Sequence, residues 1–424
     1  MTCVTARSRV PERVMMGDAI DLGLAKQFKT REAGILLALG GVTAYAAFQA
    51  YNLLVQCYQA TILNKIPGPK AASFIWGHLP LAKKLEFHVF VPQWLHTYGN
   101  VLCYRMHFFN YRVMLSGAED MKRVLVTQPK RYPKPKMDMT FVEVLTGKGV
   151  LTAEGTAHTR QRKIVAQAFH FDAVHKLYPI FAQQAEILLT AWTKVCASDA
   201  DAGTPTVLDM CTQMSYVTLD IIGLTAFGYA FDSVKGGSSE VREAYADIMP
   251  MGGINFIPIL LKTFPILNYL PIPSFIRANR AQITLRTLVR RIVDARVNSL
   301  PLSDQSSNDL LDVMLRAGAN DDDIKGSRLS NEELANNVQT FLVAGHETTS
   351  TALSWAHYLL ALNPEKRTKL RLELADRLGG RAPTCRELSD NAIPYLRAVI
   401  MEVMRLYPPV PIAIRVTTSD DCFG

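Results

Sequence analysis

The pattern of apolar and polar positions divides this sequence into four regions. Residues 1–32 are polar and mixed, with Lys26, Lys29 and Arg31 near their end. From Ala33 to Asn64 there is no Asp, Glu, Lys or Arg. The most apolar part, Ala33–Leu54, has 22 residues, and as a helix it measures about 33 Å, enough for a hydrocarbon core of about 30 Å. It lies too far from Met1 and is too long for an ordinary cleaved signal sequence, so the expectation is a retained anchor, with a buried or interfacial helix as the other reading. Pro67-Gly68-Pro69 then stops any helix and reads as a stiff break before a globular body over 65–424.

In that body, Asn100–Arg105 and Tyr111–Ser116 are short runs rich in Val, Tyr and Leu and predict two strands. Most later segments carry a helical period: Ala182–Val195, Val207–Phe227 and Ala281–Leu300. The expected class is therefore mainly α with a small β part. The apolar region Met249–Phe275 is cut by five prolines and reads as a ligand entrance, a membrane-dipping surface or a loop folded onto the core. Residues 301–308 and 319–327 read as solvated connectors, the acidic run Asn320–Asp323 lacking calcium-ligand spacing.

The longest helical pattern opens with a capping box, Ser330-Asn331-Glu332-Glu333, and runs to Leu362 before Pro364. At about 50 Å it crosses a whole domain. Its middle reads Ala344-Gly345-His346-Glu347-Thr348-Thr349. A helix selected only for stability avoids Gly, which costs about 1 kcal/mol against Ala, and avoids a buried acid. Ala344 and Gly345 remove bulk, so a flat group can lie against the backbone. Glu347 and Thr348 supply an acid beside an alcohol, a proton-delivery pair; a solvated polar patch is the other reading.

A second segment, Tyr395–Arg405, reads as a helix with Pro394 in its first turn. Glu402 and Arg405 share a face at i, i+3; most such pairs are surface bridges, and here their apolar neighbours favour a buried one. The prolines of Pro408-Pro409-Val410-Pro411 follow, then Arg415 as a cation on a stiff arm. In a third segment, Gly155–Lys163, His158 and Arg162 stand at i, i+4. They form either an anion clamp or a solvated basic face.

Composition narrows the class. The 424 residues are 49% hydrophobic and 20% charged, which excludes disorder. A net charge of +8 is more diffuse than a nucleic-acid binder shows, so none is expected as a partner. Seven cysteines, widely spaced and without Cys-x-x-Cys, give neither a disulfide framework nor a zinc site.

Taken together and in order, the anchor, the proline break and the three segments resemble the cytochrome P-450 superfamily of haem-thiolate monooxygenases in its membrane-bound form. The resemblance implies that fold, with an N-terminal transmembrane helix and haem b as cofactor. It implies insertion of one atom of dioxygen into an apolar substrate, with electrons from NADPH through a reductase. It places Ala344 and Gly345 over the haem and Glu347 and Thr348 in a proton relay. Arg415 and Arg162 fall at propionate-binding positions, and His158 stands where many members carry Trp. Glu402 and Arg405 match the structural Glu-x-x-Arg pair, and Tyr132–Gly149 the pocket wall. Localisation is expected to be single-pass at the endoplasmic reticulum, with Arg160, Arg162 and Lys163 towards an acidic partner or towards solvent. One departure stands out: the family's axial Cys lies on a Phe-x-x-Gly-x-Arg-x-Cys-x-Gly loop, and Cys422, only seven residues after Arg415, has no such context. The expectation is a C-terminally incomplete chain without a metal ligand and of doubtful activity. Its alternatives are a non-catalytic anchored fragment and an apolar-ligand-binding protein.

Overall fold

The computed structural model describes residues 62–423, with longer gaps at 82–86, 238–242, 248–269, 300–308 and 317–328. Shorter gaps fall at 64, 74–75, 79, 107–109, 136–138, 140–141, 144–145, 202, 245–246, 271 and 420. The expected anchor Ala33–Leu54, nearly all of Met249–Phe275 and both connectors lie outside the described residues. Among the described residues no helix is long and apolar enough to cross a membrane.

The chain divides into a smaller unit ending at Met121 and a larger one spanning Lys122–Cys422. In the smaller, α1 (Phe87–Tyr98) packs on an antiparallel pair, β1 (Val101–Arg105) and β2 (Tyr111–Leu115), with Cys103 opposite Val113. Phe90, Val91, Trp94 and Leu102 form its core. The proline break docks here: Cys103 N–H donates to the Pro67 carbonyl at 2.9 Å. Gly68 is required beside it, because a Cβ would stand 1.8 Å from the Cys103 oxygen.

The larger unit is helical, as the apolar period predicts. Its longer helices are α2 (Gly155–Ala166), α3 (Tyr178–Asp201), α4 (Met210–Phe227), α5 (Pro273–Ser299), α6 (Leu310–Arg316), α7 (Asn331–Leu362), α8 (Pro364–Leu378) and α9 (Pro394–Leu406), beside the short helices Phe171–Lys176 and Cys385–Ser389. Local chemistry sets their ends. Asp209 caps α4 by accepting from Thr212 N–H, and Gly228 ends it in the left-handed region at φ 60°. Both halves of the Ser330–Glu333 capping box form at the start of α7. Leu219 and Phe227 of α4, Leu285 and Ile292 of α5, Leu311 and Met314 of α6, and Val338 and Leu342 of α7 make one continuous core. Each large apolar side chain buried there contributes about 1.5–3 kcal/mol.

A buried charge cluster ties α5 to α6. Arg296 donates to Asp312 (2.7 Å) and to Asp309 (2.7 Å), and Asp312 is 1% exposed. Burial pushes the Asp309 carboxyl up to about 6, with Asp312 adding to the rise and Arg296 opposing it. Removing one member of such a cluster strands the others in low dielectric. Arg296→Met is therefore expected to cost about 3–5 kcal/mol in urea unfolding. A loss below about 1 kcal/mol contradicts this account of the cluster.

Candidate functional site

The long helix α7 is held to α2 by a polar seam. Glu333 already accepts Ser330 N–H (2.8 Å) in the capping box, and it also accepts from Arg160 (3.2 Å) and Gln161 (3.2 Å) of α2. Burial alone would raise the Glu333 pKa, but Arg160 and the Ser330 amide pull it below the usual carboxylate value. One turn on, fully buried Asn337 donates to Gln161 (3.1 Å) and accepts from Val150 N–H (2.8 Å). Arg160 is thus committed to Glu333, which removes it from the basic face expected to meet a partner.

With α2 fixed, His158 and Arg162 occupy successive turns of one face. They meet a cation that sequence reasoning missed. Lys134 sits between Pro133 and Pro135, and the proline that follows biases it away from helical backbone. Residues 131–133 pair with residues 416–418 through two backbone bonds, Val416 N–H to Pro133 O (2.9 Å) and Thr418 N–H to Arg131 O (3.1 Å). The partner number falls by two as the donor number rises by two, so the two segments run antiparallel, and that register carried one residue on sets Arg415 opposite Lys134. Like charges so placed repel. Burial lowers the Lys134 pKa first; Glu154, 3.8 Å away, opposes, and Arg415 and Arg162 lower it further. His158 is likewise lowered by burial, then by Lys134 and Arg162. The structure therefore brings His158, Arg162 and Arg415 together with Lys134, and Glu154 is the one carboxylate acting on both His158 and Lys134. The lone signal in the sequence was a lysine bracketed by prolines.

The middle of α7 splits into two faces. Gly345 and His346 turn towards α4. A Cβ on Gly345 would lie 2.5 Å from Ile222 Cδ1, so the missing side chain lets the two helices approach. His346 is fully buried, with Nε2 2.7 Å from Ser215 Oγ, and burial pushes its pKa down to about 4. Ala344 and Thr348 lie one above the other on a different face, Ala344 exposed and Thr348 half-buried. Thr348 Oγ1 donates to Ala344 O at 2.6 Å, the back-bond the sequence suggests. Glu347 keeps 45% of its side chain open, yet the surrounding protein raises its carboxyl above the ordinary value. This is an acid able to hold a proton beside an alcohol.

The Glu402–Arg405 pair corrects an expectation. Arg405 grips Glu402 through two bonds of 2.7 Å, but the side chains are 55% and 66% exposed rather than buried. The helix buries Val403, while Ile400, Met401, Met404 and Leu406 remain exposed. A pair this open is worth little in stability.

A dicarboxylate with a flat apolar body matches the donor set Lys134, His158, Arg162 and Arg415, and haem is such a group. The fit ends at the metal. The described cysteines form no metal cluster, and burial pushes the Cys103 thiol up to about 11, away from thiolate. The architecture is mainly helical with a small antiparallel sheet, and a cluster of cations lies in the larger unit. The cytochrome P450 family model matches residues 66–424. Cytochrome P450 monooxygenase 205 of Postia placenta is 31% identical over 400 residues, covering 91% of this chain and 72% of that protein. Cytochrome P450 monooxygenase FUM15 of Gibberella moniliformis is 31% identical over 355 residues, covering 78% and 58%. Cytochrome P450 monooxygenase claW of Ampulloclitocybe clavipes is 28% identical over 407 residues, covering 92% and 72%. The chain belongs to the cytochrome P450 family of haem-dependent monooxygenases.

His346 gives the site a pH signature. Its folded pKa, about 4, lies below the ordinary value near 6.5, so the unfolded chain binds the proton more tightly. The contribution is fully present above pH 6.5 and is lost as pH falls towards 4, on the order of 3 kcal/mol across the window. His346→Gln should flatten that part of the stability–pH curve measured by urea unfolding. An unchanged slope contradicts the assignment.

Proposed function

We propose that this chain holds haem b by its two propionates through Lys134, His158, Arg162 and Arg415, beside Ala344 of α7. The observation that carries this is the in-register opposition of Lys134 and Arg415, a repulsion that a bound dianion relieves. When bound, haem supplies the oxygen chemistry by which the family inserts one oxygen atom into an apolar substrate. The chain's own contribution is proton handling. Glu347, its carboxyl raised by burial, holds a proton at an Oε atom more readily than a solvated acid does. The Thr348 hydroxyl, one residue on, is oriented by the Ala344 carbonyl and offers the next donor.

NADPH reaches the site as electrons through a separate cytochrome reductase. Lys163, exposed on α2 with Arg162, offers charge to that acidic partner. The uncharged stretch Ala33–Leu54 tethers the chain as a single-pass anchor at the endoplasmic reticulum, catalytic body towards the cytosol. None of the seven cysteines in residues 1–424 stands in the family's axial-loop context, so none of them is assigned as the iron's axial ligand.

Titration of the purified chain with haem and with its dimethyl ester tests the reading. Haem should bind at least about tenfold more tightly, about 1.4 kcal/mol. Lys134→Met combined with Arg415→Ala should abolish the preference. The reduced protein under carbon monoxide should show no thiolate-type band. Equal binding of acid and ester contradicts the cradle, and a thiolate band contradicts the cysteine assignment.

A further inference from the structure

The backbone pairing that sets Arg415 against Lys134 is short. Pro133 has no N–H to return, and Thr418 adds a side-chain bond to the Arg131 carbonyl (3.1 Å). Each such bond nets little against water, and the two cations it aligns push it apart. The counterweight lies beyond the arm. Asp421, its side chain 6% exposed, accepts from the Tyr132 hydroxyl and from Arg123, and pairs with Arg131 at 3.6 Å. It also accepts its neighbour's amide, Cys422 N–H, at 2.8 Å, while Arg123 reaches the Cys422 carbonyl at 3.3 Å. Three side chains of the 123–132 segment thus converge on one buried carboxylate, which follows shortly after the arm that carries Arg415.

We propose that Asp421 is a positioning residue for the dicarboxylate cradle: anchored by Tyr132, Arg123 and Arg131, it holds residues 416–418 in register and so keeps Arg415 facing Lys134. This rests on the cradle proposed above, and its role is exerted through Arg415, since Asp421 is itself committed to the 123–132 segment. An acid at this place in a basic site does not cancel the cradle's charge; its partners are Arg123 and Arg131, not Lys134 or Arg415.

The test uses the whole chain without haem and reads Lys134. Pulsed amine labelling across a pH series, with peptide mass spectrometry, gives the pH at which Lys134 becomes reactive. Arg415→Ala should move that midpoint upward by removing a neighbouring cation. Asp421→Asn should move it the same way, and the double variant no further than Arg415→Ala alone. Tyr132→Phe, which keeps every charge and deletes one donor, should give a smaller shift in the same direction. It also keeps the test informative if Asp421→Asn does not fold. A midpoint unmoved in both Asp421→Asn and Tyr132→Phe, with Arg415→Ala shifted, overturns the anchor. A midpoint unmoved in Arg415→Ala overturns the register on which it depends. Because no porphyrin is present, a failure of the haem–ester preference with the Lys134 shifts intact counts against the haem reading and leaves the anchor standing.

Discussion

One carboxylate, Glu333, joins the helix that carries the acid–alcohol pair to the helix that carries the cations. It completes the cap of α7 through Ser330 and receives Arg160 and Gln161 from α2. Without that double use, the start of α7 and the face bearing His158 and Arg162 would be set independently. Asn337 extends the seam by one turn and brings in the backbone at Val150. Buried polar groups joined this way fix alignment more than they add stability, since each bond replaces one to water.

The site is built by opposing demands. Cations are gathered where they repel: Glu154 offsets part of the charge at Lys134, and prolines around Lys134, two backbone bonds and Asp421 gripping the neighbouring segment hold the arrangement. The middle of α7 shows the same economy. Gly345 and His346 serve helix packing against Ile222 and Ser215, whereas Ala344 and Thr348 lie on a different face. A basic cradle is suited to a bound dianion, and an acid whose carboxyl burial raises is suited to proton delivery.

Much of the fold was legible because its signals are local. The two strands, the capping box before Asn331, the proline at the start of α9 and the helical periods all depend on residues within a turn or two. The site was legible only where local spacing sufficed, as for His158 with Arg162. The pairing of Lys134 with Arg415 joins distant parts of the chain through backbone bonds, which no side-chain pattern announces. Gly345 was ambiguous in principle: a helix omits a side chain for a ligand or for a neighbour, and only the position of Ile222 decides. The i, i+3 spacing of Glu402 and Arg405 gave the bond but not its exposure, because apolar neighbours along a helix do not say which of them are covered.

The central claim is that Lys134 and Arg415 form the two sides of a carboxylate-binding cradle. Diffraction from crystals of the chain soaked with haem tests it most directly. The account requires porphyrin density with its carboxylates bracketed by Lys134 and Arg415, and Arg162 within hydrogen-bonding reach. Porphyrin density at another surface, or carboxylates pointing away from these residues, would contradict it.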